Sequence, residues 1–387
     1  MPGREPMMPA ARSKIIVSTN TSWNVVNFRK GLIEALQSHG YDVVIVAPRD
    51  EYTSLISAMG CRYVELEMDN SGMSPLRDMA LLWRFWRLLR HERPLAFVGF
   101  TIKPNVFGSI AANLNGVPVI NNISGLGTAF VRGGLLLRIA KALYRVALAR
   151  SKMVFFQNDD DRTLFVIGNL VRKEQTGLLP GSGIDLVRFT PSSEARTNPG
   201  AIVFLLVARL LWDKGVGEFI EAARLVRQKM PGVRFQLLGF LDVENRTAVS
   251  RQHVEQWVGE GLIEYLGTTD DVRPFLRAAD CVVLPSYREG TPRSLLEAAA
   301  MGKPLITTDV PGCREVVDHA INGFLCKARD TDDLASKMIE FAMMDDASRG
   351  RMGVEGRNKV ERQFSETIVI AKYMQQIEKL DGLAAKE

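Results

Sequence analysis

Four charged residues in two short runs carry the chemistry this sequence offers. The first run follows the apolar stretch Ile202–Val207 and reads Ala208, Arg209, Leu210, Leu211, Trp212, Asp213, Lys214, Gly215. Two cations at a strand end just ahead of a helix suit a diphosphate. They neutralise two phosphate charges, and the helix N-terminus adds its own partial positive charge. The second run, Pro285 to Gly302, carries Glu289 in a loop and Glu297 on a helix that should start near Pro292, with seven residues between the two glutamates. Proline fits a first helical turn. This spacing puts Glu289 at the edge of a cleft and Glu297 between the first and second turns. The free backbone N–H groups of Thr291, Arg293 and Ser294 can face an anion. Glu297 can accept hydrogen bonds from a ribose diol, as acidic residues do in nucleotide sites. Read singly, each run is also compatible with solvated loop-end cations and an exposed helix glutamate; read together, they describe one nucleotide site.

Such residues need strand ends to hold them, and the chain supplies strands throughout. Short apolar runs alternate with helical periodicity. In the first half the strand-like runs are Lys14–Thr19, Asp42–Pro48, Arg62–Leu66, Leu95–Phe100, Pro118–Ser124 and Lys152–Gln157, with helix-like stretches at Asn24–Ser38 and Pro104–Asn115. In the second half they are Ala201–Ala208, Arg234–Gly239, Ile263–Gly267, Cys281–Pro285, Pro304–Asp309 and Gly323–Ala328. Strands alternating with helices imply βαβ units and parallel sheets. Runs that stay apolar without alternation imply sheets covered on both faces. Thr190–Gly200, rich in Pro, Ser, Thr and Asn, reads as a linker. The expected fold class is therefore α/β: two doubly wound, Rossmann-like domains at 13–189 and 200–364, with a cleft between them and the final helix, 365–380, packing back on the first. Ligands of such sheets bind outside the carboxyl ends of the strands.

Composition bounds the rest. The 387 residues are 46% hydrophobic and 24% charged, ordinary for globular domains, and the formal net charge is +5. That mild basic excess suits anionic partners without choosing among them. The four cysteines, Cys61, Cys281, Cys313 and Cys326, are far apart and form no metal-binding pattern, which points to a reducing compartment and no metal site. Met1–Arg12 lacks the apolar core of a secretory signal and reads as a disordered leader. No apolar run approaches the ~18 residues of a membrane span.

The stretch from Val207 to Phe324 resembles the glycosyltransferase family 4 group of GT-B enzymes, and the resemblance extends over most of the chain. It implies that Arg209 and Lys214 hold the donor diphosphate, that Glu289 faces the donor sugar and the reacting centre, and that Glu297 binds the nucleotide ribose. Backbone groups around Gly239–Phe240 and Gly267–Thr268 would lie near the base. The implied catalytic residues are Arg209, Lys214 and Glu289. The implied donor site adds Gly239, Thr268, Gly290, Thr291, Arg293, Ser294 and Glu297. The implied reaction is retaining and metal-independent, with a UDP-sugar as donor substrate and no further cofactor. Asp159, Asp160 and Asp161 form an acidic run that fits a helix N-terminus rather than a metal.

In the first half, Thr19–Asn24, Phe100–Asn105 and Ile123–Gly127 lie at or just after strand ends. They resemble members that extend glycans on a polyprenyl-diphosphate carrier, such as N-acetylgalactosaminyl and related transferases. Asn20, Trp23, Lys103, Asn105 and Ser124 are the acceptor-side residues this implies, with Lys103 placed to meet an acceptor diphosphate. Two features depart from the wider family: Ser22–Trp23–Asn24 replaces a Gly-Gly turn, and Asn121, Asn122 and Ser124 stand where many members carry a histidine. His39, His91, His253 and His319 fit no catalytic position.

One helix points to a membrane independently of the resemblance. Along Leu81–Arg93, Leu81, Leu82, Phe85, Leu88 and Leu89 share one face, while Arg84, Arg87, Arg90 and His91 share the other with Trp83. A basic face bearing Trp suits an anionic bilayer surface, and Gly134–Arg150 adds Arg138, Lys141, Arg145 and Arg150. The expected partner surface spans 77–93 and 134–150, with the protein on the cytoplasmic face of the inner membrane. The leading expectation is transfer of a sugar, an N-acetylhexosamine, from a UDP-sugar to a polyprenyl-diphosphate-linked glycan in cell-surface glycan assembly. The alternatives are a UDP-sugar 2-epimerase and a catalytically silent nucleotide-sugar-binding protein. A nicotinamide dehydrogenase is disfavoured because no GxGxxG follows the first strand, and no nucleic-acid-binding stripe is evident.

Overall fold

The computed structural model describes residues 12–69, 74–125, 134–191, 200–241, 245 and 247–384. The leader up to residue 11, Leu126 and Gly127, and residues 192–199 of the expected linker lie outside the described residues. Two compact units emerge. One takes the chain up to Phe155 together with Phe165–Gly177 and the run from Ile370; the other takes Phe156–Leu164 and Leu178–Val369.

The first sheet is built from β1 (Lys14–Ser18), β2 (Asp42–Ala47), β3 (Arg62–Glu65), β4 (Ala96–Phe100), β5 (Val119–Ile123), β6 (Met153–Phe156) and β7 (Thr176–Leu178). Its order is β3-β2-β1-β4-β5-β6-β7. The second is built from β8 (Val203–Val207), β9 (Arg234–Leu238), β10 (Glu264–Tyr265), β11 (Cys281–Leu284), β12 (Leu305–Thr308) and β13 (Gly323–Cys326), in the order β10-β9-β8-β11-β12-β13. β1 pairs in parallel with β2 and β4, and β8 with β9 and β11. Each sheet thus reverses its winding beside its first strand, which places the two switch points between β1 and β4 and between β8 and β11. Ligand crevices of doubly wound sheets open there, at the carboxyl ends.

Burial explains why these segments are strands. β4, β5 and β11 are buried at every position, so helices cover both sheet faces, as parallel sheets require. In the second sheet one face packs Phe204, Leu206 and Phe235 against Phe219 and its neighbours on the helix Val216–Lys229; the other packs Leu205, Val282 and Leu284 against the helix Arg293–Ala300.

Two helices differ from the sequence reading. Asn24–Ser38 is two helices, Ser22–Phe28 and Lys30–Ser38, because Arg29 leaves the helical region (φ −124°, ψ 0°). Its guanidinium lies buried over the Phe100 ring, 4.0 Å from the centroid, and that contact favours the kink. Pro104–Asn115 starts as a π-helical turn, Pro104–Gly108, before the α-helix Ser109–Leu114. Widened turns of this kind often mark functional sites, and here the turn coincides with the burial of Asn105.

Candidate active site

The two charged runs meet at the β8–β11 switch point. β8 ends at Val207, and Trp212–Lys214 form one 3-10 turn before Gly215 admits the helix Val216–Lys229. Gly215 is in the left-handed region (φ +74°), and a Cβ there would lie 2.0 Å from the carbonyl oxygen of Pro285. Only glycine allows the two loops to approach this closely. Hydrogen bonds then lace them together. The Asp213 carbonyl accepts from Tyr287 N–H (3.0 Å) and Ser286 Oγ (3.2 Å), and Thr247 Oγ1 donates to Asp213 Oδ2 (3.0 Å).

This lacing brings Lys214 Nζ onto Glu289 Oε1, an ion pair whose side chains are 19% and 13% exposed. Exposed pairs contribute about 0–1 kcal/mol, but this one is largely shielded. A unit negative charge about 4 Å from the Lys214 ammonium interacts with that ammonium by roughly 4 kcal/mol at an effective dielectric near 20, on the scale of the pair itself. A diphosphate approaching Lys214 is therefore a strong competitor for its charge. Arg209 is exposed and makes no ion pair among the described residues, so its guanidinium is available to the same anion. Beyond Glu289, Pro292 is the N-cap of Arg293–Ala300, whose first turn turns its positive dipole end to this loop. Arg293 Nε holds Glu297 Oε1 at 2.8 Å. Burial raises the Glu297 carboxyl above its ordinary range, and the neighbouring Arg293 charge opposes that only in part.

Arg209, Lys214, Glu289, Arg293 and Glu297 thus belong to one pair of neighbouring strand ends. Ser294 is half-buried on the same first turn, and Gly290 is buried beneath Glu289. Thr268 is exposed on the loop after β10. Gly239 donates its N–H to Gly267 O (2.9 Å) and accepts at its carbonyl from Tyr265 Oη (2.9 Å), so both its backbone groups are engaged within the protein. Thr291 corrects the sequence reading: its N–H is not free for an anion but donates to Gln157 Oε1 (3.1 Å), and its Oγ1 donates to the Gln157 carbonyl (3.1 Å). Sequence reasoning passed over Gln157, Asn158 and Asp213. Asn158 had a visible signal, a capping residue ahead of three aspartates, but that signal speaks only of its own helix.

Two family models divide the chain between them. Residues 26–180 match a glycosyl transferase 4-like domain, and residues 201–343 match the glycosyl transferases group 1. The chain is a glycosyltransferase. Over 367 residues the enzyme is 28% identical to an N,N'-diacetylbacillosaminyl-diphospho-undecaprenol alpha-1,3-N-acetylgalactosaminyltransferase of Campylobacter jejuni, covering 91% of this chain and 94% of that protein. It is 26% identical over 304 residues to a UDP-Gal:alpha-D-GlcNAc-diphosphoundecaprenol alpha-1,3-galactosyltransferase of Escherichia coli, covering 76% and 77%. Among solved structures it resembles sucrose-phosphate synthase from Thermosynechococcus elongatus (TM-score 0.79, 19% identity, 97% of this chain and 100% of that one). It also resembles Anabaena Alr3699/HepE in complex with UDP and glucose (TM-score 0.77, 19% identity, 95% and 100%). The fold is GT-B, two parallel-sheet Rossmann-like domains.

At the first sheet's switch point the enzyme presents few free charges. Asn20 and Trp23 are half-buried after β1, Trp23 packing edge-on to Phe28 at 4.9 Å. Ser124 is half-buried after β5. Lys103 does not project as an unpaired cation: it is paired with Asp78 at 2.8 Å, the two side chains being 15% and 12% exposed. Asn105 lies underneath the loop. Its Nδ2 donates to Asn122 O (2.7 Å), and its Oδ1 accepts from Asn121 Nδ2 (2.9 Å). Ser151, Ser109 and Tyr373 extend this buried network.

The helix Pro75–Glu92 buries Leu81, Phe85 and Leu89 and exposes Arg84, Arg87, Arg90, His91 and Trp83. Arg87 sits over the Trp83 ring at 4.7 Å. On Gly134–Leu148, Leu135 and Ile139 are exposed, while Arg145 is engaged with the carbonyls of Asn169 (3.0 Å) and Gly168 (3.2 Å). No helix of the described residues is long and apolar enough to cross a membrane.

Proposed function

We propose that the enzyme transfers an N-acetylhexosamine, with retention of configuration, from a UDP-sugar to a polyprenyl-diphosphate-linked glycan at an anionic membrane surface. The observation that carries this reading is the Lys214–Glu289 pair at the β8–β11 switch point beside Arg209, which makes no ion pair among the described residues. As the bond between the anomeric carbon and the diphosphate breaks, charge grows on the leaving oxygens. Arg209 and Lys214 would meet it in a preorganised setting, the arrangement that gives electrostatic catalysis its strength. Displacing Lys214 toward the diphosphate would free the Glu289 carboxylate to face the donor sugar, and Glu297 would accept from the ribose diol. The acceptor hydroxyl oxygen bonds to the anomeric carbon as the bond from that carbon to the diphosphate breaks, its proton passes to the departing diphosphate or to solvent, and UDP leaves. Retention is what the family resemblance implies.

The nucleotide is supported by the HepE complexes with UDP and with UDP-glucose. The lipid-linked acceptor is supported by the names of the Campylobacter and Escherichia relatives. Asn20, Trp23 and Ser124 would line the acceptor side, with Lys103 and Asn105 supporting that loop rather than touching substrate. Trp83, Arg84, Arg87 and Arg90, together with the exposed Leu135 and Ile139, would meet the headgroups from the cytoplasmic side. The test is a screen of UDP- and GDP-sugars with polyprenyl-diphosphate-sugar acceptors in detergent, read by mass spectrometry. Addition of one N-acetylhexosamine from a UDP donor is the expected result. An isomerised donor with no mass gain would instead identify an epimerase.

A further inference from the structure

The Glu289 loop is held from below by a segment outside the donor run. From the end of β6 the chain enters Gln157–Asp161, which belongs to the second unit. Asn158, 3% exposed, donates through Nδ2 to the carbonyls of both Glu289 (3.3 Å) and Gly290 (3.2 Å). Its Oδ1 accepts from Asp161 N–H (2.8 Å), capping the helix Asp159–Ile167. Gln157 takes both polar groups of Thr291, and buried Asp161 pairs with Arg288. Four consecutive residues, Arg288–Thr291, are thereby bound by three residues of a five-residue segment. On the other side, Glu289 N–H donates to Pro311 O (3.1 Å), and a Cβ on Gly312 (φ +88°) would lie 2.4 Å from the carbonyl oxygens of Glu289 and Gly290. The loop is clamped between two walls, and its backbone carbonyls face inward.

We infer that Asn158 is a positioning residue for the transfer: its amide fixes the Glu289–Gly290 backbone and so the direction in which the Glu289 carboxylate meets Lys214 and the donor sugar. This rests on the reading of Lys214 and Glu289 given above. Anchoring the main chain fixes where the Glu289 side chain starts and so narrows the placements its carboxylate can reach. Without the anchor, two buried carbonyls lose their donor, and the loop relaxes to find others. Misplacing a reacting group by about 1 Å can lower turnover on the order of 100-fold. Arg209, Lys214 and Glu297 stand on other anchors, so nucleotide binding should persist.

Asp161 makes a poor probe, because breaking its buried pair with Arg288 would destabilise the fold. Asn158→Ser separates the roles, since a serine hydroxyl still caps the helix but cannot reach the two carbonyls. Asn158→Asp keeps the shape and the cap but sets a carboxylate against those carbonyl oxygens. Both variants and Lys214→Ala are assayed for turnover with saturating donor and acceptor, and UDP binding is titrated calorimetrically. The expected result for Asn158→Ser is unchanged UDP stoichiometry and affinity, a near-native Tm, and kcat lower by about 100-fold, with Asn158→Asp lower still. Near-native kcat in both Asn158 variants while Lys214→Ala is inactive would overturn the positioning role alone. A loss of kcat matched by a loss of UDP-binding sites would overturn it too, as mere unfolding. Full turnover in Lys214→Ala would remove the site reading and this inference with it.

Discussion

The two sheets reverse their winding in the same way yet dress their switch points differently. Between β8 and β11 the loops bring Arg209, Lys214, Glu289, Arg293 and Glu297 to neighbouring strand ends, and the ion pairs there are shielded but not sealed. Between β1 and β4 the corresponding loops carry amides and hydroxyls, and the one nearby lysine, Lys103, is drawn off to Asp78. The first unit carries exposed cations elsewhere, on the face of Pro75–Glu92 that presents Arg87 and Arg90 beside Arg84, itself paired with Glu67 at 3.3 Å. A switch point meant to stabilise growing charge needs ions in low-dielectric surroundings; one meant to receive a neutral hydroxyl is better served by hydrogen-bonding groups that do not attract an anion. Topology says where a ligand goes, and the side chains say what it must be.

The sharpest break in this comparison is Lys214→Ala. Removing a preorganised group that meets developing charge typically costs about 10²–10³-fold in kcat, and the largely shielded Glu289 carboxylate left without its partner should also lower Tm by a few degrees. Steady-state transfer at saturating donor reads it. A Lys214→Ala enzyme that turns over normally would leave the charged switch point without a catalytic role. Next in size is the outer face. Replacing Arg84, Arg87 and Arg90 by Gln removes about 1 kcal/mol of headgroup attraction for each charge. Partition onto anionic vesicles should then fall on the order of 100-fold in cosedimentation, with turnover on a detergent-solubilised acceptor unchanged. Equal partition of both proteins would remove the membrane role of this helix.

How much of this was legible in the sequence varies with the range of the interactions concerned. The β8 and β11 runs were readable because strand, loop and helix start are local: Lys214, Glu289 and Glu297 lie in the turn, loop and helix that follow two neighbouring strands. The pairing of Lys103 was not legible because its partner, Asp78, lies on the helix Pro75–Glu92 and no sequence pattern ties the two together. Asn105 was expected on the acceptor side at the start of a helix-like stretch, yet its amide is buried in a network with Asn121 and Asn122 that closes only in three dimensions. The hold of Asn158 on Glu289 spans 131 residues of sequence. The break at Arg29 was hidden as well, because helical periodicity runs straight through it and the contact with Phe100 that accompanies it is long-range.

Glu297 offers a smaller and more diagnostic effect. Its carboxyl is raised by burial above the ordinary 4.5. The fold therefore favours the neutral form, so this group's contribution to stability grows as pH falls through the raised pKa and is lost as pH rises above it. Its ligand role has the opposite sign, because a protonated Glu297 is a weaker acceptor for a ribose diol. UDP affinity measured calorimetrically should fall toward acid pH while stability gains from the same protonation. Glu297→Gln should lower affinity about 10-fold near neutrality, the order expected for one charge-assisted hydrogen bond, and should abolish the acid-side decline. An acid-side decline that survives in Glu297→Gln would assign it to another group.

The smallest expected effect bears on the neutral side of the comparison. Lys103→Met removes a cation whose partner, Asp78, stands in the first turn of Pro75–Glu92. That helix end retains part of the stabilisation of the orphaned carboxylate, so the loss should stay near 1–3 kcal/mol, the penalty for an unsatisfied buried polar group. For a unit of this size each kcal/mol shifts Tm by roughly 2–4 °C, readable by calorimetry, and the KM for the lipid-linked acceptor should not move. The opposite pattern, an unchanged Tm with an acceptor KM raised about tenfold (roughly 1.4 kcal/mol of lost binding), would mean that Lys103 leaves Asp78 for the acceptor. The first switch point would then be as much an anion site as the second, and the contrast between the two sheets would be one of resting state rather than of chemistry.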